Sequence, residues 1–367
     1  MGIAKNGYFT LKDIKKHNAT YNIIYSTRSD GKSFACKEEG LTNAWVNNEP
    51  SVGLIRRYRD DITTELVNKY FVERGVNLIQ HITKGACNCI DYYRGYLYFA
   101  QSQENEKINR IRKAGEVFAL SVANKRYKST GHPYIKDMIF EEVFTNDGYL
   151  PNEPELLFQL VSTCARGDNI KVYMLGNTIS RVCPYFKEWG LKNIPTQKIG
   201  TIDDYYKEIP NEFDEKGNPL KIKIAVEYSN PSPHKSKMFF GNVAKSIQGG
   251  AWETHDFAKL PDKLENFEEV YSLTYKSKSD FKFTMKLLCH KVDGYLIVFV
   301  YPAKADSQRI ITGAFSTDYF STPTLNRNNK AEILIHNLII DNKICFSDNL
   351  TGEDFQSSVK TETKYPF

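Results

Sequence analysis

The chain has 367 residues, 41% of them apolar and 13% aromatic, with a formal net charge of +5. That length suits about two domains with real cores, and the mild positive charge is compatible with nucleic acid without marking it. No apolar run approaches the roughly 20 residues of a membrane span, no signal peptide is visible, and seven scattered cysteines make no disulfide framework, so a soluble cytoplasmic protein is expected.

Residues 1–20 are polar and mixed, with Phe9, Leu11 and Ile14 as anchors. The stretch Tyr21–Cys36 follows, YNIIYSTRSDGKSFAC. Ile23, Ile24 and Tyr25 read as a short buried strand. Ser26, Thr27, Arg28, Ser29, Asp30 and Gly31 form a turn-prone loop, and Lys32 and Ser33 open a helix. This is the architecture of a phosphate-binding loop. Loop N–H groups and a helix N-terminus converge on one spot and stabilise negative oxygens there. The lysine reaches the β- and γ-phosphates of ATP, and the serine hydroxyl ligates Mg²⁺. Ser26 stands where the full signature has its first glycine. A surface turn that happens to carry Gly-Lys-Ser is the plain alternative.

Ser51–Tyr58 (SVGLIRRY) is a strand ending in Arg56 and Arg57, with Arg59 just beyond. Such arginines would sit near the ligand edge of an α/β sheet, or on a solvated strand end. Residues 60–73 carry Ile62, Leu66, Val67 and Tyr70 at helical spacing. CNCIDYYRGYLYFAQ is rich in strand formers around a central Arg-Gly and reads as a hairpin. Cys87 and Cys89 within it read as alternate strand positions, since no second pair completes a zinc set. GEVFALSVA is a further strand, leading to the basic cluster Lys125, Arg126, Tyr127 and Lys128, which suits phosphate or a solvated turn.

Tyr134–Val143 (YIKDMIFEEV) is an apolar strand ending in Glu141 and Glu142. Hydrolysis of a nucleoside triphosphate needs one acid for the Mg²⁺ shell and another to polarise the attacking water. Adjacent residues at a strand end point to opposite sides, so the two can divide these tasks. Pro151–Gly167 reads as a helix with Asn152 at its cap, Pro154 in the first turn and Glu153 and Glu155 at the positive end. Arg166 lies at its exit. Ile170–Leu175 is a core strand followed by Gly176, Asn177 and Thr178, where a polar side chain can sense the γ-phosphate or act only as a turn residue.

IAVEY, within residues 205–228, is expected to be the last strand of this α/β domain. SNPSPHKSK then has linker chemistry, and residues 229–265 read as a linker or lid. From 266 the texture is β: VYSLTYK, FKFTMKLLCH, a Val-Asp-Gly turn, YLIVFVYP and RIITGAF. A helix at Lys330–Ile340 and a strand at KICFSD follow. A meander, a helix and a strand suit an RNase H-like domain over 266–367. Two-metal cleavage needs clustered carboxylates. The 270–275 strand has no acid, and Asp280 and Asp293 lie in turns, so a module without cleavage activity is expected.

The order of motifs resembles the DNA-packaging (encapsidation) ATPases of small short-tailed bacteriophages, relatives of large terminases in the additional-strand P-loop group. STRSDGKS is similar to that family's arginine-containing P-loop and LIRRYR to its Arg-Arg-Tyr strand end. KSTGHPYIKDMIFEEVF resembles its stretch from a functional lysine to the two acids. YLPNEPELLFQLVSTCARGDNIKVYMLGNTISRVCPYF is similar to its helix, arginine finger and sensor strand. The resemblance covers about residues 20–190.

It implies a P-loop ATPase domain at 1–228 and an RNase H-like domain that has lost its nuclease site. ATP and Mg²⁺ would be held by the loop from Ser26 to Ser33, with Ser33 and Glu141 on the metal. Glu142 would activate water, and Asn177 would couple hydrolysis to movement. Arg166 would be a finger entering the neighbouring subunit's site, and Lys128 a second basic residue near that interface. Arg59 stands where the family has lysine, and Glu141 where it has aspartate. The implied activity is ATP-driven movement of double-stranded DNA into a procapsid in the host cytoplasm. The implied partners are a homo-oligomeric ring (a pentamer by resemblance), a viral portal and, in some members, a structural RNA. Two other readings are a terminase- or helicase-like ATPase with an active nuclease, and a structural nucleic-acid-binding protein with a decayed ATP site.

Overall fold

The computed structural model describes residues 8–26, 30–73, 75–103, 107–127, 131–145, 148–165, 169–178, 181–230, 232, 255–277, 281–312, 321–322 and 324–362. Thr27, Arg28, Ser29, Lys128 and Arg166 lie outside them, as does most of the 229–265 segment. The chain forms two compact units. One comprises Met1–Val143, Leu150–Asn177 and Asn193–Ser236; the other comprises Phe144–Tyr149, Thr178–Lys192 and Lys237–Phe367. Two inserts within residues 1–228 therefore group with the second unit.

The first unit is built on a nine-stranded sheet. Its strands are β1 (Tyr21–Ser26), β2 (Val52–Arg56), β3 (Cys89–Tyr93), β4 (Tyr96–Gln101), β5 (Asn109–Ala119), β6 (Asp137–Phe140), β7 (Lys171–Asn177), β8 (Thr201–Phe213) and β9 (Pro219–Tyr228). The order is β3-β4-β5-β2-β6-β7-β1-β9-β8. From β5 to β9 every pairing is parallel. Parallel strands are covered on both faces, which requires near-continuous apolar runs; β1 is buried along its whole length. One strand, β7, separates β1 from β6. That interposed strand defines the additional-strand class of P-loop folds. The parallel register brings Ser26 beside Asn177 and Ile55 beside Phe140, so the chemistry-bearing ends of β1, β7, β6 and β2 share one edge.

The outer strands are antiparallel. The β3–β4 hairpin turns at Arg94-Gly95, both with positive φ (51° and 95°), the two-residue turn that the Arg-Gly signal predicts. β8 pairs antiparallel with β9 at the opposite edge. The helices are α1 (Lys12–Lys16), α2 (Lys32–Val46), α3 (Thr64–Tyr70), α4 (Leu78–Ile82), α5 (Ala123–Arg126), α6 (Glu153–Ala165) and, in the second unit, α7 (Pro184–Glu188). α3 starts where the Thr63 hydroxyl oxygen accepts the Leu66 N–H at 3.2 Å.

The second unit carries β10 (Phe267–Lys276), β11 (Lys282–His290), β12 (Leu296–Pro302), β13 (Ile310–Ile311), β14 (Ser321–Thr322) and β15 (Ile344–Phe346). β10, β11 and β12 form an antiparallel meander, with β13 parallel to β10 and β14 parallel to β13. In chain order the first five strands lie 5-4-1-2-3 across the sheet, the RNase H arrangement, and β15 extends it beside β12. Helices Lys330–Ile340 and Asn349–Glu362 belong to this unit, and Phe355 of the latter packs on Tyr275, Phe283 and Phe346. Arg181 pairs with Asp354 of the same helix, which ties the 178–192 insert into the unit. All seven cysteines are free thiols. No described helix is long and apolar enough to cross a membrane.

Candidate active site

The site grows from the end of β1. Ser26 is still strand, fully buried and extended, so this position makes no demand for glycine. The demand falls on Gly31, which has φ +92°, and a Cβ there would also press on Tyr8 at 3.3 Å. Between them Asp30 anchors the loop. Its carboxylate accepts the Ser26 hydroxyl at 2.6 Å and the Ser232 N–H at 2.8 Å, and its carbonyl accepts the Phe9 N–H at 2.9 Å.

Lys32 opens α2 with its side chain turned inward, only 7% exposed. Its ammonium donates to the Ser26 hydroxyl at 2.6 Å and to Asn177 Oδ1 at 3.3 Å. Burial pushes its pKa down to about 8, against the attraction of Asp30 and Glu141. A partly desolvated ammonium beside a helix start that no side chain caps is a cradle for an anion. Ser33, half-buried, is the second residue of α2.

Glu141 and Glu142 follow β6 directly. Glu141 accepts the Tyr70 hydroxyl on Oε1 at 2.5 Å. Glu142 is exposed and has φ +57°, a left-handed backbone rare for a residue with a side chain. What holds it there is Arg57, which donates through Nη1 to the Glu142 carbonyl at 3.0 Å and through Nη2 to the Val143 carbonyl at 3.3 Å. Arg57 also grips Glu153 with Nε and Nη2, at 2.8 and 3.0 Å.

The three arginines at the end of β2 and just beyond it therefore separate. Arg57 is buried and structural, Arg56 lies over the Tyr70 ring at 4.8 Å, and Arg59 is in solvent-facing turn structure, its N–H on the Ser121 hydroxyl at 3.1 Å. The sequence offered a ligand edge or a solvated strand end for all three. Arg57 is neither, because Glu153 and two carbonyls consume its donors. Ser26, Asp30, Gly31, Lys32, Ser33, Glu141, Glu142 and Asn177 are gathered at the strand ends. Tyr70 and the Arg57–Glu153 pair were missed. Tyr70 read only as an apolar helix position and Glu153 only as a helix-start acid; nothing local in the sequence links either to Glu141 or Arg57. Among the described residues, no three His, Cys, Asp or Glu side chains converge as a metal-ligand group.

A family model described as podovirus DNA encapsidation protein (Gp16) matches residues 3–226. The DNA packaging protein of Bacillus phage PZA is 26% identical over 282 residues, covering 74% of each chain. The DNA packaging protein of Bacillus phage B103 is 26% identical over 283 residues, covering 69% of this chain and 81% of the relative. The fold is shared with a chain of the bacteriophage Phi-29 viral genome packaging motor assembly, with a TM-score of 0.52 at 17% identity over 94% of this chain and 95% of that one.

Proposed function

This chain belongs to the podovirus DNA encapsidation family, and we propose that it acts there as an ATPase, driving double-stranded DNA into a procapsid. The observation that carries the reading is the buried Lys32 ammonium, which bridges Ser26 and Asn177 at the strand ends. Those two contacts fix the ammonium, with Asp30 and Glu141 close enough to attract it, at the start of α2, where the helix N-terminus favours phosphate oxygens.

The residues fit the nucleotide and its metal. The Ser33 hydroxyl and the Glu141 carboxylate would hold Mg²⁺, which would neutralise charge developing on the phosphate oxygens. Lys32 and the first-turn N–H groups of α2 bind phosphate oxygens. Glu142 accepts a proton from the attacking water or orients it. Asn177, already on Lys32, is placed to respond when Lys32 changes partners. Arg166 and Lys128 are proposed, on resemblance, to act from a neighbouring subunit; such a finger is worth roughly 10³–10⁵ in rate. A homo-oligomeric ring, a pentamer on the same grounds, would dock on a portal and procapsid, with a structural RNA in some members. The second unit is proposed as a docking module that does not cleave DNA; nicking of plasmid by purified protein with Mn²⁺ would refute that.

The test is steady-state ATP hydrolysis against protein concentration, with and without long double-stranded DNA. Turnover should rise with both, and the DNA effect should weaken with salt as phosphate contacts are screened. Mixing Arg166→Ala with Lys32→Ala protein should restore turnover if the finger acts between subunits. Absence of ATP binding by the native chain would overturn the reading and leave a structural nucleic-acid-binding protein.

A further inference from the structure

Glu141 stands where the resemblance has aspartate, and it is not a free arm. Its Oε1 accepts the Tyr70 hydroxyl at 2.5 Å. Tyr70 is the last residue of α3, and its ring is clamped from two directions. The Lys37 ammonium lies over the ring at 4.4 Å and the Arg56 guanidinium at 4.8 Å. Lys37 is fixed in turn. It donates to the Tyr70 carbonyl at 2.7 Å, pairs with Glu73 and is itself buried. Phe71 meets the Tyr70 ring edge-on at 5.0 Å. The phenol therefore reaches Glu141 from a ring with little freedom to turn.

On these contacts, and resting on the nucleotide reading above, we infer that Tyr70 is a positioning residue for Glu141, holding one carboxylate oxygen so that the other serves the metal. A glutamate has one more rotatable bond than aspartate, and ordering a flexible side chain on metal binding costs conformational freedom. The phenol removes that freedom in advance. The longer side chain at 141 and the tyrosine at 70 are then one device: the glutamate spans the distance that the ring sets.

The test uses full-length Tyr70→Phe, which keeps the ring and removes only the oxygen. Binding of a fluorescent ATP analogue is titrated in EDTA and then against Mg²⁺. Affinity in EDTA should stay within about twofold of the native chain, while the Mg²⁺ concentration for half-maximal enhancement should rise roughly tenfold, the scale of losing a hydrogen bond to a charged group. In a Glu141→Asp background, where the shorter arm is out of the phenol's reach, Tyr70→Phe should change neither quantity. An unchanged Mg²⁺ dependence in Tyr70→Phe would overturn the inference. So would an equal loss in EDTA and in Mg²⁺, which would make Tyr70 a packing residue. Failure of the native chain to bind the analogue under either condition would instead strike the nucleotide reading, and this inference with it.

Discussion

Each unit contains a buried glutamate gripped by an arginine, and the two pairs are built alike. Glu153 and Glu332 each sit in the first turn of a helix, at 0% and 1% exposure, where the helix dipole favours a carboxylate. Each accepts a backbone N–H from the preceding loop, from Leu150 at 3.0 Å and from Asn326 at 2.5 Å. Each is gripped by an arginine through Nε and Nη2, Arg57 in one unit and Arg309 in the other. The difference is where the remaining donors go. Those of Arg309 end on the carbonyls of Ile310 and Thr324, a strand and a turn. Those of Arg57 end on the carbonyls of Glu142 and Val143. A left-handed non-glycine residue costs on the order of 1–3 kcal/mol and persists only where its surroundings over-determine it. One stabilising motif thus serves only the fold in the second unit. In the first it also aims the acid proposed to activate water.

The comparison is sharpest if the acid itself matters. Glu142→Gln should lower ATP turnover by roughly 10²–10⁴-fold with thermal stability unchanged, measured by phosphate release beside a melt. Breaking the two pairs comes next. Arg57→Ala and Arg309→Ala should each cost about 3–5 kcal/mol in urea unfolding, because each leaves a buried carboxylate without its cationic partner. Arg57→Lys keeps the charge but not the fork, so it should depress turnover, while Arg309→Lys should not. Equal effects of the two lysine variants on turnover would erase the distinction drawn here.

Two pH effects belong to the first unit. With its pKa near 8, Lys32 loses its charge above that pH in the nucleotide-free chain. ATP affinity should fall up to tenfold per pH unit above about 8, and binding there should take up a proton, detectable by calorimetry in buffers of different ionisation enthalpy. For folding, the unfolded chain binds more protons than the native one between about 8 and 10.4. The burial cost of Lys32 is therefore full below that window and eases as pH rises through it. The smallest effect belongs to Glu227, whose pKa burial raises to about 7. The native state holds its proton where the unfolded chain, near 4.3, has lost it. Stability should then decline as pH rises between those values, and Glu227→Gln should flatten that slope in a pH series of melts.

Local patterns carried much of the fold. The strand–loop–Gly-Lys-Ser–helix order, the acid pair after an apolar strand, the Arg94-Gly95 hairpin and the Lys330–Ile340 helix all depend on neighbours in sequence, and all were legible there. β8 was not, because Asp203, Asp204, Lys207 and Glu208 hide any apolar alternation on an edge strand exposed to solvent. The final helix was not, because Gly352 lies within it; a Cβ at that point would meet the Phe257 ring at 2.3 Å, so glycine there marks close packing and not a break. The interposition of β7 between β1 and β6, the Tyr70–Glu141 bond and the Arg57–Glu153 clamp were decided only in three dimensions. Each joins residues far apart in the chain, and their meeting depends on strand order and register, which no local window of residues specifies.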